Sequence, residues 1–162
     1  MTQPDLHMLP NDNIRTLLHD LGNALDERFA QFRRGTIYES VRPSDVRVFV
    51  RATRAPQTIS EIARSLGVSR QAVQISVQRL QKLQVLSSKS SPQNKRDRIV
   101  VVTARGQHAA STAAHQVQRV EKEFVEAIGP GGLLEFRNSL ITILKVTRTH
   151  NEIDAAKGSV PV

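Results

Sequence analysis

The sequence predicts a mainly helical chain that carries one small β-hairpin, and three observations lead there. Apolar residues recur at three- and four-residue steps over most of the 162 residues. Two short helical patterns meet at Leu66-Gly67-Val68-Ser69, and two β-leaning segments around a polar, proline-containing stretch follow directly.

Taken in order, residues before Asn11 hold two prolines and no periodicity and read as a loose tail. From Asp12 to Arg34, Ile14, Leu17, Leu18, Leu21, Leu25, Phe29 and Phe32 form the stripe of one long amphipathic helix that Gly35 stops. Pro43 suits the first turn of a second helix, ending near Pro56, with Val46, Phe49 and Val50 expected to face inward. Thr58-Ile-Ser-Glu61 is a capping box, in which the threonine caps and the glutamate reaches back. It opens a short helix with Ile62, Ala63 and Leu66 on one face. Gly67 then supplies a left-handed turn, and Ser69 caps a further helix to about Leu83. Two short helices at this spacing are a helix-turn-helix.

The segments Val85–Ser88 and Ile99–Thr103 read as strands, and SKSSPQNKRD between them as a hairpin loop. A hairpin directly after a helix-turn-helix describes a wing. Two more helical patterns close the chain, one on Val117, Val120, Phe124 and Ile128, the next on Leu133, Phe136, Leu140, Ile143 and Leu144. Gly129-Pro130-Gly131-Gly132 separates them, and the last dozen residues read as frayed.

Composition narrows the function. Aromatic residues are only 4% of the chain, which favours aliphatic packing between helices over an aromatic-lined substrate cavity. With no cysteine there is no disulfide, thiolate metal site, cysteine nucleophile or thiol switch. No glycine-rich phosphate loop, HExxH or GxSxG is present, so no catalytic residue and no cofactor is expected, and the chain does not read as an enzyme. His108 and His115 share a helix face, but two turns, about 10 Å, separate them, too far for one metal ion. The N-terminus lacks a secretory pattern and no apolar run approaches a membrane span, so a cytoplasmic protein with no membrane partner is expected.

The formal charge is +8, and its distribution matters more than its size. Between Glu61 and Asp97 there is no carboxylate. From Ser69 to Gly106, Arg70, Arg79, Lys82, Lys89, Lys95, Arg96, Arg98 and Arg105 stand against Asp97 alone, a net +7. Solvated faces normally mix signs, whereas a carboxylate-free surface suits a polyanion, since each basic group near phosphate releases a counterion. On a helical wheel, Val73, Val77 and Leu80 share the buried side of the helix after Ser69. Gln71, Gln74, Ile75, Gln78 and Lys82 gather opposite. Glutamine can read adenine through two hydrogen bonds, and an exposed apolar side chain can meet a thymine methyl. Ser69 and Arg70, at the helix start, are better placed for phosphate. Glutamines are also ordinary soluble helix formers; the helix-turn-helix spacing is what favours the reading role.

Arg42-Pro-Ser-Asp45, TISEIARSLGVSRQAVQISVQRLQKLQVL and SPQNKRDRIVVVTARG together resemble the multiple-antibiotic-resistance regulators, the MarR family, with LGVSRQAV and the closing Val102-Thr103-x-x-Gly106 the most specific parts. The resemblance spans roughly residues 12–148. It implies a homodimer whose first and last helices interlock, residues 12–41 and 104–150, around winged helix-turn-helix lobes, residues 42–103, with flexible tails at 1–11 and 151–162. It also implies that the helix from Ser69 enters the major groove of double-stranded DNA. Arg96 of the wing would enter the adjacent minor groove, with Lys95 and Arg98 beside it. Relatives often carry acids where Asn94 and Gln78 stand here, and a polar or basic base-reading residue at Ile75. A small-molecule effector is a further partner that the resemblance implies. Nothing in the sequence identifies its site; Arg34, Tyr38 and Arg51 lie near the expected crevice by helix order alone.

The function these readings support is a sequence-specific transcriptional regulator, a repressor rather than an activator, acting as a homodimer on a palindromic operator and released by a small ligand. Two alternatives share the same residues: an architectural DNA-binding protein of low specificity, and a winged-helix adaptor whose basic face meets an acidic protein.

Overall fold

A computed structural model describes residues 13–90 and 98–157. The chain divides into two units, residues 1–116 and 117–162. The hairpin tip with Lys95 and Arg96, and the N-terminal tail, lie outside the described residues.

In the first unit, α1 (Ile14–Arg33) starts where the Asn13 side chain accepts the Thr16 N–H at 3.1 Å. None of its residues is buried. Ile14, Leu17 and Leu18 are exposed, while Leu21, Leu25, Phe29 and Phe32 are half-buried. α2 (Pro43–Arg54) leads through β1 (Gln57–Thr58) to α3 (Ile59–Leu66) and α4 (Arg70–Lys82). Strands β2 (Leu86–Ser90) and β3 (Arg98–Val102) precede α5 (Ala104–Lys157). The sheet runs β1-β3-β2, antiparallel throughout, with Leu86 opposite Val102, Ser88 opposite Val100, and Gln57 also opposite Val100. β1 escapes sequence reading because two residues are too short to show alternation.

The core of the lobe is aliphatic: Val48 and Ala52 of α2, Ile62 and Ala63 of α3, Val73, Val77 and Leu80 of α4, with Val85, Leu86 and Val100. This corrects the inward face expected for α2. Phe49 packs half-buried against the core as expected, but Val50 is exposed, Val46 is half-buried, and the fully buried positions are Asp45, Val48 and Ala52. Valines and phenylalanine at 46, 48, 49 and 50 surround the helix, so composition alone does not select a face. The true stripe begins with a carboxylate, which disguises it.

Two caps join α4 to the sheet and to α5. After Leu83 the chain turns through Gln84 at φ 60, and the Val85 N–H donates back to the Leu80 carbonyl at 3.1 Å. The Thr103 hydroxyl donates to the Gln84 carbonyl at 2.6 Å and accepts the Gly106 N–H at 3.0 Å, so one side chain starts α5 and holds the preceding turn.

In the second unit, α5 breaks at Gly129, whose φ of 74 and ψ of 163 are open to glycine. Glu121 accepts a hydrogen bond from Arg137 at 2.6 Å. Along an unbroken helix those residues would lie about 24 Å apart, so the break folds two helical limbs towards each other, as the GPGG stretch suggests. The helix continues to Lys157, into the segment expected as a tail. Leu134, Ile141, Ile143, Leu144 and Val146 of the second limb are all exposed. Among the described residues, no helix is long and apolar enough to cross a membrane.

Candidate nucleic-acid interface

The helix-turn-helix is built from three local devices, each visible in the hydrogen bonds. At the start of α3, the Glu61 N–H donates to the Thr58 hydroxyl at 3.2 Å, and the Glu61 carboxylate accepts the Thr58 N–H at 2.7 Å. Those Thr58 bonds, backbone first, hold the Glu61 carboxyl below its usual range. α3 ends at Gly67 in the left-handed conformation, φ 65, which lets the chain reverse within the turn. α4 begins where the Ser69 hydroxyl oxygen accepts the Ala72 N–H at 3.1 Å.

These devices present α4 with two unlike sides. Val73, Ser76, Val77 and Leu80 are buried. Ser69, Arg70, Gln71, Gln74, Ile75, Gln78 and Lys82 are exposed on the other side, and Ile75 keeps 43% of its surface free. The part of that apolar side chain left open between glutamines gains nothing from folding and can gain from an apolar contact such as a methyl group. Ser69 and Arg70 lie at the N-terminus of α4, whose first turn holds no acid; its free N–H groups and dipole favour an anion there.

The basic residues divide into two groups. Among the described carboxylates none pairs with Arg70, Lys82, Lys89 or Arg98. Arg98 is exposed and donates through Nη2 to the Ser88 carbonyl at 3.2 Å, bracing β3 against β2. Ser88 also accepts the Gln81 amide at 2.8 Å, which ties the wing strand to α4. Arg105 donates to the Gln84 side chain at 2.9 Å.

Arg79 does not belong with the free cations. Its Nε donates to both oxygens of Asp45, at 3.1 and 3.0 Å, and its Nη2 to Asp45 and to the Ser76 hydroxyl. Asp45 is 1% exposed and also accepts the Arg42 N–H at 3.1 Å. Burial alone would raise the Asp45 carboxyl, but hydrogen bonds from Arg79, Ser76 and Arg42 outweigh it and hold the group below its usual range. The same contact raises Arg79. Counting charges along the sequence missed this group; the available signal was a serine and an arginine, three apart, beside the apolar stripe of α4.

Of the residues near the expected effector crevice, Tyr38 packs against the core and Arg34 is exposed. Arg51 is half-buried, with its Nε buried and without a hydrogen-bond partner among the described residues.

Residues 44–97 match the MarR family model. No curated protein matches the chain in sequence. Solved structures do resemble its fold. FabT of Streptococcus pneumoniae in complex with DNA superposes with a TM-score of 0.68 at 14% identity, covering 84% of this chain and 96% of that one. The transcriptional repressor CouR on a 23-mer DNA duplex gives 0.68 at 19%, covering 86% and 96%. CouR of Rhodococcus jostii RHA1 bound to p-coumaroyl-CoA gives 0.65 at 18%, covering 82% and 92%.

Proposed function

We infer that the chain, whose fold is a winged helix-turn-helix and whose residues 44–97 match the MarR family model, is a protein of the MarR type. From that premise we propose that it is a sequence-specific DNA-binding transcriptional repressor, acting in the cytoplasm as a homodimer on a palindromic operator. The observation that carries this reading is the exposed, carboxylate-free side of α4. Gln71, Gln74, Ile75 and Gln78 stand there opposite the buried Val73, Val77 and Leu80. Gln71 and Gln74 hydrogen-bond base edges and Ile75 meets a thymine methyl. Ser69 and Arg70 contact phosphate, Arg96 of the wing enters the minor groove, and Lys95 and Arg98 lie beside it, on phosphate or in the groove. DNA is the partner of FabT and CouR in their structures, which supports the same partner here.

Exposed apolar surface supports the dimer. Ile14, Leu17 and Leu18 of α1 and Leu134, Ile143 and Leu144 of α5 are exposed side chains of a kind that helices bury. A second copy covers them and sets two α4 helices about 34 Å apart, one turn of duplex. The expected solution mass is twice the 18.0 kDa of one chain. Leu144→Glu is expected to halve it by light scattering and to weaken DNA binding; an unchanged dimer would place the interface elsewhere.

A small molecule releases the operator by favouring a different spacing of the two reading helices. A preference of about 1–3 kcal/mol is sufficient to shift occupancy. CouR binds p-coumaroyl-CoA, which supports an effector of small-molecule size.

Fluorescence anisotropy tests the reading, with the duplex upstream of the protein's own gene against a shuffled duplex across a salt series. Tight, salt-steep binding to the first alone is the expected result. Equal binding to both would favour an architectural protein, and binding to neither an adaptor for acidic proteins. On the operator, Gln74→Ala is expected to cost about 1–3 kcal/mol at one base position. An equal loss on every sequence would rule out direct readout by that residue.

A further inference from the structure

Asp45 lies on α2, away from the exposed side of α4, yet its carboxylate is the point where three groups converge. Two of them, Ser76 and Arg79, belong to α4 and follow directly after Ile75 and Gln78 of the reading side. The third is the Arg42 N–H at the start of α2 itself. That third bond matters, because it anchors the carboxylate to its own helix, so Asp45 cannot simply follow α4.

The rest of the packing between α2 and α4 is aliphatic and has little directional preference. Val73, Val77 and Leu80 could meet Val48 and Ala52 at several roll angles of α4 with similar burial. A forked guanidinium on a fixed carboxylate tolerates no such freedom. Successive residues of a helix point about 100° apart, so any roll that loosens Arg79 from Asp45 also re-aims Gln74, Ile75 and Gln78. Stability alone is a weak reason for such a pair, since apolar replacements of similar volume often hold two elements equally well.

We infer that Asp45, through Arg79 and Ser76, is a positioning residue that sets the roll and register of α4 and thereby its discrimination between base sequences. The inference rests on α4 being the base-reading helix, as proposed above. Asp45 is buried, 1% exposed, and out of reach of a phosphate, so its loss alters which sequences bind rather than how many phosphates are neutralised.

The test is selection from a random-sequence duplex pool with the full-length parent, Asp45→Asn and Arg79→Lys, at a temperature where circular dichroism shows each folded. Arg79→Lys keeps the charge and loses the fork. The parent is expected to enrich one sequence motif. Both variants should bind the unselected pool with the parent's salt slope, while the ratio of motif to shuffled affinity falls about tenfold, the order of one lost base-pair preference. A purely structural role would leave that ratio unchanged in the folded protein, and folded variants that keep the parent's ratio would overturn the assignment. If Asp45→Asn does not fold, Arg79→Lys decides alone. A parent that binds the pool and enriches nothing would instead overturn α4 as a base reader, and this inference with it.

Discussion

Asp45→Ala is expected to lower the unfolding free energy by about 3 kcal/mol at neutral pH, towards the lower end of what breaking one side of a buried ion pair costs. Three groups lose their acceptor at once. Arg79 keeps a half-buried guanidinium with no counter-charge, Ser76 a buried hydroxyl, and Arg42 the cap of its N–H. The lower end applies because Arg79 retains 31% of its side-chain surface and can turn partly to water. Urea unfolding followed by circular dichroism measures the loss, and a change under about 1 kcal/mol would show the pair behaving as a surface one. The pH dependence has a definite sign. Asp45 is held below its ordinary 3.8 in the folded chain, so its contribution is complete above that value and disappears as pH falls through the lower folded one. Parent and alanine variant therefore differ by a constant amount from about pH 5 to 8 and converge only in stronger acid.

The second large effect is at Gly106, in the first turn of α5. A Cβ added there would collide with the Val85 carbonyl oxygen and lie 2.7 Å from Val102 Cγ1. One obstacle is backbone and the other a β-branched side chain at the end of β3, so neither can swing aside cheaply. Gly106→Ala is expected to cost about 3 kcal/mol, the upper end for overpacking a tight contact, through displacement of the first turn of α5. That shift also pulls on Thr103, which holds the Gln84 turn at the end of α4. DNA affinity is therefore expected to fall along with the unfolding midpoint. Full stability in Gly106→Ala would mean that α5 yields at no cost, and that the glycine serves no packing purpose. The contact explains why a helix that would otherwise favour alanine carries glycine at its third residue.

The two helices of the helix-turn-helix, their caps at Thr58 and Ser69 and the turn at Gly67 were legible because each is a local rule. A hydroxyl three residues before a free N–H and a glycine at positive φ act within one turn of chain. The division of α4 into buried and exposed sides was legible for the same reason, since Val73, Val77 and Leu80 repeat with the period of the helix. The inward side of α2 was not, because Asp45 occupies a core position and no periodicity marks a carboxylate as buried. Its partners Arg79 and Ser76, far along the chain, together with the Arg42 N–H, make that burial tolerable. In the same way, Gly106 stood out in the sequence as part of a pattern, while its reason lies in Val85 and Val102. Short-range hydrogen bonds and apolar spacing thus determined where the two helices of the helix-turn-helix begin, end and turn their faces. The partners of buried polar groups and the closest backbone approaches were decided by the tertiary structure, because both depend on residues brought together only when the chain has folded.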